Sequence, residues 1–516
     1  MIRKFLIGIS LVALSGCSMA PKYARPDLPV PTSWPTGDAY LRQSEATLPA
    51  VTYRDIFRDP RLQAITAQAL VNNRDLRVAA ANIEAARAQY RIQRAELLPE
   101  ISSTANFQRR DNGSGGVVTN TGSTTGTGTG TGTGIGTGTN TGTGTTTVTT
   151  ARSSYSLNLG ITAFEIDLFG RIRSLTTAAQ NRYFATEATA RATRLTLVGD
   201  IATAWLTYAS DRSLLRIAQE TATSAQSSVK LTKARLDGGI APRTDLAQAL
   251  IVLQTAQSDL ATQTTLVAQD ANALQLLVGA PVDPALLPKS IEEVAPTVAE
   301  LPAGLDSSIL FRRPDVLEAE YELRATNAEI GAARAALFPR ISLTALAGLA
   351  STSLTSLFTG GAFNYSVSPS ASYSIFQAGA ARAGVAQTRA QRDAALATYE
   401  KAIQTAFSEV ADALARRGTI DRQLNAQIAL SAAATDNYRL SDARYRGGID
   451  TFLQSLDAQR SLYSAQRTLV STRLTGAANL VTLYRVLGGD SLLDATPTGP
   501  RPVAGQTANG AYPTTR

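Results

Sequence analysis

The sequence has no histidine and only one cysteine among its 516 residues. Histidine is the commonest general base and metal ligand, so its absence disfavours hydrolases and metal sites. The single thiol, Cys17, lies in a segment expected to be lipid-modified, which removes a thiol nucleophile or a zinc site. Serine, lysine and carboxylate chemistry remains open, but the chain has no motif for it. We therefore expect no catalytic residues, no metal site and no cofactor beyond a covalent lipid on Cys17.

The N-terminal apolar stretch Phe5–Leu14 is too short for a bilayer-spanning helix, which needs roughly 20 apolar residues. It follows two basic residues and leads into Leu14–Cys17, a small-residue cleavage site that ends in cysteine. This pattern resembles a bacterial lipoprotein signal, in which the cysteine becomes the acylated N-terminus. In that pattern Ser18 at the next position suggests sorting to the outer membrane. An ordinary cleaved signal with a chance cysteine is the alternative.

Charge gives no sign of a nucleic-acid partner. The formal net charge is +8, and it falls by two to +6 when Arg3 and Lys4 leave with the signal. Basic residues are spread along the chain with acidic ones between them, so no concentrated basic footprint exists. We therefore expect no binding of nucleic acid.

The chain contains one structural unit twice, which constrains its architecture more tightly than local propensity does. The paired segments are Ala95–Ser102 with Ala335–Ser342, Ala234–Ile240 with Ala443–Ile449, and Leu276–Gly279 with Arg485–Gly488. Prolines mark the connector between the two copies. The predicted organisation is a signal at 1–16, a lipid-anchored segment at 17–60, a first repeat at 61–279, an equatorial connector at 280–308, a second repeat at 309–489 and a disordered tail at 490–516.

Four stretches alternate between apolar and polar residues and predict β-strands. The clearest are Ser154–Phe164 and Phe363–Ile375, and the weaker partners are Ile101–Phe107 and Ile341–Ala347. Such alternation suits a tilted membrane strand of roughly 9 to 11 residues, with one side for lipid and one for a lumen. A soluble antiparallel sheet with one wet face gives the same pattern and remains the alternative. Pro369 inside one strand is a mild objection to a fully paired ladder.

Each copy also predicts one very long helix, because Gly170–Asp237 and Gly379–Arg446 lack proline and have almost no internal glycine. At 1.5 Å per residue such helices would be on the order of 100 Å long. They are too polar to cross lipid, so we expect them to stand in water. A glycine pair ends each one, and the predicted returning helices are Thr244–Leu277 and Phe452–Leu487.

The two copies differ mainly in a threonine and glycine tract at Asn112–Thr150, which falls between the first two strands. Such a tract cannot bury a core and is expected to form a solvated loop. Its place opposite the helices makes an extracellular loop the natural assignment, and glycan attachment on the threonines is the alternative. Four strands cannot close a barrel, so strands in a membrane require assembly, and two or three chains would both suffice geometrically.

A resemblance settles the choice between these assemblies. The segments Leu310–Val316, Glu318–Leu343 and Leu456–Arg460 resemble the lipoprotein branch of TolC-like outer-membrane efflux factors, the NodT family. That resemblance implies a homotrimer with a 12-stranded β-barrel in the bacterial outer membrane, four strands from each chain. The barrel is continued by an α-helical coiled-coil tunnel into the periplasm.

The same resemblance implies a function and partners. The expected function is a passive duct of a tripartite efflux pump that exports small toxic molecules and is gated at its periplasmic tip. The expected partners are a periplasmic adaptor protein, an inner-membrane pump of the resistance, nodulation and division class, and outer-membrane lipid. A duct for protein secretion and a periplasmic coiled-coil scaffold without a pore are the alternatives.

Residue roles also follow from the resemblance. Asp457 matches a carboxylate ring that constricts the tunnel, and Tyr445 and Asp245 match positions linked to closure. Arg460, one turn beyond Asp457, is expected within reach of it for an ion pair. The chain departs from the family pattern at Gln454, where a second carboxylate can occur, so a gate with a single carboxylate ring is expected.

The resemblance also points to a second difference from the family pattern and to a docking site for the adaptor. Asp450 stands where a basic gating partner can occur, which leaves the locking contacts open. Gly239, Thr244 and Gly448 match turn positions where the family's adaptor docks. The structural alternative for the turn glycines is plain helix capping.

Overall fold

The computed structural model describes residues 18–27, 29–35, 37, 40, 52–110, 152–299, 307–496 and 498–502. The signal, Cys17 and the threonine and glycine tract lie outside these residues, and so do their predictions. The chain divides into two compact units. The sheet unit consists of the described residues within 94–170 and 335–379, and the helical unit contains the rest of the described chain.

The sheet unit is built on one antiparallel sheet of four strands in the order β1-β2-β3-β4. The strands are β1 (Ile101–Arg110), β2 (Arg152–Glu165), β3 (Arg340–Ser351) and β4 (Phe363–Ser372). All four coincide with the alternating stretches of the sequence. The prediction of four strands is therefore confirmed.

The register places most apolar residues on one face of the sheet and most polar residues on the other. Ile101 lies opposite Ile161, and Ala345 lies opposite Val367 on the same face. The opposite face carries mainly hydroxyl, amide and small side chains along all four strands: Ser102, Thr104, Asn106, Gln108, Ser154, Ser156, Asn158, Ser342, Thr344, Asn364, Ser366, Ser368 and Ser370. Leu346 is an apolar exception on this face, and Glu165 and Arg340 are charged residues at strand ends. In a single chain the apolar face is not covered, and Tyr365 is 75% exposed.

Two residues of the sheet have irregular backbone features, Ala163 at a β-bulge and Pro369 in an edge strand. Ala163 has a φ of 54°, and the pairing of β2 with β3 shifts between Ile161 and Phe164, as in a β-bulge. Pro369 lies opposite Leu343 within β4. Among the described strands β4 pairs with β3 alone, so the missing N–H of the proline interrupts no second ladder.

The helices are α1 (Tyr53–Ile56), α2 (Pro60–Asn72), α3 (Arg74–Ala95), α4 (Arg171–Asp237), α5 (Arg243–Val278), α6 (Ile291–Val294), α7 (Pro314–Ala335), α8 (Ala380–Arg446) and α9 (Phe452–Val486). The four helices that were predicted with bounds, α4, α5, α8 and α9, begin and end within one residue of the prediction. Both long helices, α4 and α8, contain 67 residues. Across the described residues, no helix has the length and apolarity of a membrane span.

The largest core of the helical unit packs α4 and α9 against the short helices α1, α2 and α6. Trp205 of α4 is fully buried, and its Nε1 donates to the carbonyl oxygen of Leu286 at 3.1 Å. Glu292 in the connector accepts from Ser213 at 2.7 Å and pairs with Arg473 at 2.8 Å. The connector is thus bound to both α4 and α9.

The prediction of a disordered tail at 490–516 is wrong for its first part. A 3-10 turn covers Gly489–Ser491, and β5 (Leu493–Thr496) pairs with β6 (Gly499–Pro502). Leu493 is fully buried in a cluster with Phe184 and Tyr321. Burial of apolar side chains supplies the stabilisation that the polar composition of the segment does not suggest. Residues 503–516 lie outside the described part of the chain.

The N-terminal segment is an ordered strap along α7, defined here as residues 18–27 and 29–35. Asn327 donates to the carbonyl oxygen of Pro21 at 2.8 Å, and Arg334 donates to that of Met19 at 3.1 Å. Near the end of the strap, Trp34 stacks on Phe407 with ring centroids 4.6 Å apart. Polar contacts and ring stacking therefore hold the strap in one register.

Two carboxyl groups share a hydrogen bond within the first helical hairpin, Asp211 on α4 and Asp270 on α5. The Oδ2 atom of Asp270 is buried without a hydrogen-bond partner. Burial, reinforced by the neighbouring carboxylate of Asp211, raises the pKa of Asp270 to about 7. Asp270 therefore keeps its proton in the folded protein at pH values where the unfolded chain has lost it.

Stability of the helical unit is expected to fall as pH rises from about 4 to 7, since the native state binds one proton more in that window. Asp270→Asn should remove this part of the pH dependence and should melt higher than the wild type at about pH 8, where the native carboxylates repel. Thermal unfolding across this pH range measures both effects. Asp237→Asn, at an exposed carboxylate of α4 paired with Lys233, is the matched control. An unchanged slope in Asp270→Asn contradicts the assignment.

Candidate functional site

The candidate site lies at the two turns that join α4 to α5 and α8 to α9. Gly239 and Gly448 occupy equivalent places and have φ values of 74° and 75°. In each turn the amide of the following isoleucine donates to the carbonyl five residues earlier, at 2.8 Å in the first turn and 2.9 Å in the second. Left-handed glycines with such bonds end helices, so the repeat at sequence level becomes a repeat of turn geometry.

The predicted docking residues are all at the surface of these turns. Gly239, Thr244 and Gly448 are exposed, and Thr244 lies in the first turn of α5. A Cβ added at Gly239 or Gly448 would meet no atom within 4 Å, although the positive φ strains any larger residue there. The turn glycines therefore serve chain reversal in the structure whether or not a partner binds them.

Sequence reasoning missed two apolar side chains at the same turns. Ile240 and Ile449 are exposed by 80% and 68%. Both follow the glycine pair directly, and their conservation between the two copies of the repeat is the signal that would have found them. The turns thus present apolar groups as well as backbone to any partner.

Tyr445, a predicted gate residue, is buried at the end of α8. Its ring packs with Phe452 at a centroid distance of 5.4 Å, in a cluster that includes Ala249 and Leu456. Its hydroxyl lies 3.2 Å from the hydroxyl of Thr232 on α4. Tyr445 therefore joins the two hairpins of one chain.

Asp245, the other residue linked to closure, lies half-buried in the first turn of α5. Among the described residues its carboxylate has no hydrogen bond to Tyr445, whose hydroxyl contacts Thr232 instead. The structure brings Asp245 to the same end of the unit as Tyr445. It does not join the two residues.

Arg235 is a further residue of this site that sequence reasoning missed. Its guanidinium carbon lies 4.4 Å from the ring centroid of Tyr445. One of its nitrogens donates to the carbonyl oxygens of Tyr445 and Arg446, at 2.9 and 3.2 Å. A cation thus sits against both the ring and the C-terminal carbonyls of α8, where helix carbonyls carry partial negative charge.

Asp457 and Arg460 lie on the exposed side of α9, while their neighbours Leu456 and Gln459 are buried. In the described part of one chain they form no ion pair with each other. The expected contact is therefore not present within the chain, as befits two solvated side chains whose pairing is worth little. Gln454 is exposed on the same helix.

Asp450, the second departure from the family pattern, is held within its own turn. Arg444 contacts it with two nitrogens, Nε at 2.5 Å and Nη2 at 3.0 Å. This hydrogen bonding by Arg444 lowers the pKa of Asp450. The α8–α9 turn is therefore closed by a charged clamp that the sequence alone did not reveal.

Comparison with known proteins gives consistent matches in sequence and in structure. The family model described as Outer membrane efflux protein matches residues 65–280 and 305–489. The toluene efflux pump outer membrane protein TtgC of Pseudomonas putida is 43% identical, covering 94% of this chain and 96% of that protein. The antibiotic efflux pump outer membrane protein ArpC of Pseudomonas putida shows the same identity and coverage.

Solved structures give the same result at the level of the fold. The open state of the MtrE outer membrane channel of Neisseria gonorrhoeae matches with a TM-score of 0.77 at 33% identity. The match covers 92% of this chain and 98% of that one. The similarity therefore includes both the strands and the long helices.

Proposed function

The chain belongs to the outer membrane efflux protein family, and from this membership we propose that it is the outer-membrane channel of a tripartite efflux pump. The observation that carries the proposal is a sheet with one uncovered, mainly apolar face and one mainly polar face, on a chain that also has two 67-residue helices. Such a sheet suits a membrane wall with lipid on one side and a lumen on the other.

Assembly follows from the edges of the sheet. Within one chain, β1 and β4 each leave one edge without a partner strand among the described residues. An open edge in hydrocarbon costs several kcal/mol for each unpaired backbone group, so further copies must supply the partners. We infer three copies and a 12-stranded barrel, which is the assembly that the family resemblance implies.

The helical unit belongs in the periplasm under this proposal, and its turns meet the other pump components. Gly239, Thr244 and Gly448 would contact a periplasmic adaptor, and the exposed Ile240 and Ile449 would add apolar area to that contact. An inner-membrane pump of the resistance, nodulation and division class would drive export. The duct itself would be passive and would make or break no bond.

Cargo and anchoring are further parts of the proposal. TtgC is named for toluene efflux and ArpC for antibiotic efflux, so small toxic organic molecules are the proposed cargo. A lipid on Cys17 would hold the N-terminus at the outer membrane, and the strap along α7 would follow directly from it. Labelling with a radioactive fatty acid, with Cys17→Ala as the control, tests the anchor.

The channel function is tested in cells and in bilayers. A strain that lacks this chain should accumulate more of a lipophilic dye and should regain export when the chain is restored. Purified trimer in a planar bilayer should show single-channel conductance, whereas a scaffold without a pore would show none. Conductance without any effect on dye accumulation would instead favour a duct for secreted proteins.

Asp457 is expected to make the channel prefer cations, because a ring of carboxylates at a constriction attracts them. Asp457→Asn should lower the cation-to-anion permeability ratio about threefold, and Gln454→Glu should raise it by a similar factor. Reversal potentials in a potassium chloride gradient measure the ratio. Asp436→Asn, at an exposed carboxylate of α8 paired with Arg439, serves as the control. An unchanged ratio in Asp457→Asn would place the constriction elsewhere.

A further inference from the structure

We propose that Arg235 is the latch between the two helical hairpins of one chain, and that it is free to act because the first turn has Ala241 where the second turn has the carboxylate of Asp450. The hairpins are α4 with α5 and α8 with α9. The contacts of Arg235 are observed in the structure and do not depend on the function of the chain. Their effect on channel opening rests on the proposed function.

The duplication identifies equivalent residues in the two turns. Alignment of 234–241 with 443–450 places Arg235 opposite Arg444, and Ala241 opposite Asp450. The backbone hydrogen bonds of the two turns also correspond one to one. Arg235 and Arg444 thus occupy equivalent positions in two turns of the same backbone geometry. The two turns differ in the residue at the place of Asp450.

In the second turn the arginine is engaged locally. Arg444 holds the carboxylate of Asp450 with two hydrogen bonds, at 2.5 and 3.0 Å. A paired, charge-assisted contact of this kind is among the stronger ones available to arginine. Arg444 is therefore committed to its own turn.

In the first turn no such carboxylate exists, because Ala241 occupies the place of Asp450. Arg235 instead reaches the other hairpin, where it contacts the ring of Tyr445 and the carbonyls of Tyr445 and Arg446. Carbonyls in the last turn of a helix lack some of their intrahelical partners and attract cations. Because the first copy has no carboxylate at this place, its arginine contacts the second copy instead.

Two pairs of hydroxyl groups also join α4 to α8, farther from the turns than Arg235. The hydroxyl of Thr232 lies 3.2 Å from that of Tyr445, and the hydroxyl of Ser224 lies 2.8 Å from that of Tyr438. Arg235 adds a charged contact closer to the turns than either pair. Any state in which the first hairpin moves away from α8 must break the contacts of Arg235, so they favour the arrangement in which the two hairpins stay packed together.

The sharpest test restores the missing carboxylate. Ala241→Asp should draw Arg235 into its own turn, as Asp450 does with Arg444, and should raise the open probability of the purified trimer about tenfold. Arg235→Gln should have a similar effect. The double variant should exceed neither single variant, because both remove the same contact.

A distance measurement tests the contact between the hairpins independently of channel opening. Nitroxide labels at Lys230→Cys on α4 and Asn437→Cys on α8, both exposed positions, report the spacing of the hairpins in the full trimer. Ala241→Asp and Arg235→Gln should broaden and lengthen this distance relative to the labelled parent. Ala241→Asn, which adds the same bulk without the charge, should leave both distance and conductance near the parent values.

Each outcome is decisive. Unchanged distances in both Ala241→Asp and Arg235→Gln overturn the latch, whether or not the protein conducts. Equal effects of Ala241→Asn and Ala241→Asp overturn it as well, since bulk rather than charge would then be the cause. Longer distances in the variants, together with no conductance from either the variants or the parent trimer, would uphold the latch and overturn the proposed channel function.

Discussion

Gly160→Ala is expected to prevent assembly of the channel. A Cβ at this position of β2 would lie 2.1 Å from the carbonyl oxygen of Ala345 and 2.8 Å from the Cα of Leu346. Both atoms belong to the backbone of β3, which cannot move away without breaking the β2–β3 ladder. Unpaired backbone groups in a bilayer cost several kcal/mol each, so we expect at least a roughly tenfold loss of trimer from outer-membrane fractions.

A second glycine makes the same test from the other strand. A Cβ at Gly348 would lie 2.4 Å from the carbonyl oxygen of Leu157, so Gly348→Ala should fail in the same way. Gly360→Ala is the matched control, because a Cβ there meets no atom within 4 Å in the same unit. Wild-type amounts of trimer in Gly160→Ala would show that the two strands do not approach as closely as described.

Glu320→Ala is expected to release the N-terminal strap. The carboxylate of Glu320 is fully buried and accepts two hydrogen bonds from Arg25, at 2.7 and 3.1 Å. It also contacts Tyr23 at 3.2 Å and Arg324 at 2.6 Å. Loss of one partner of a fully buried ion pair typically costs about 3 to 5 kcal/mol. The cost here should be smaller, because Arg25 and Arg324 are 36% and 19% exposed and water can solvate them in part.

Limited proteolysis detects this release. Trypsin should cut after Lys22 in Glu320→Ala under conditions where the wild-type strap is resistant, and the helical unit should melt at a lower temperature. Glu322→Ala, at an exposed carboxylate of α7 paired with Arg182 at 3.7 Å, should change little, since exposed pairs contribute at most about 1 kcal/mol. Equal resistance of the two variants would mean that the strap is held by other contacts.

The elements of this fold could be predicted because their signals are local. Alternation along Ser154–Phe164 and freedom from proline along Gly379–Arg446 mark a strand and a helix wherever the chain goes in space. The tail could not be predicted, since Leu493 is ordered by Phe184 and Tyr321, which lie far away in the sequence. The strap along α7 was missed for the same reason.

Some residues of the candidate site could be predicted from the sequence and others could not. The duplication and the glycine pairs located both turns, and the resemblance pointed to Tyr445, which the structure places in contact with α4. The same reasoning expected an ion pair between Asp457 and Arg460 that is absent within the described chain. It also gave no reason to single out Arg235, whose partner is the backbone of another helix.

The resemblance indicated membership of an efflux family, and local patterns and the repeat were sufficient for the strands, the long helices and the turns. These features depend on residues that are neighbours in sequence, where periodicity and glycine position act directly on the backbone. The role of a single arginine was decided by packing instead. Arg235 and Arg444 occupy equivalent turns. Asp450 engages Arg444 locally, whereas Arg235, with Ala241 in the equivalent place, finds its contacts because helix packing brings the end of α8 within reach.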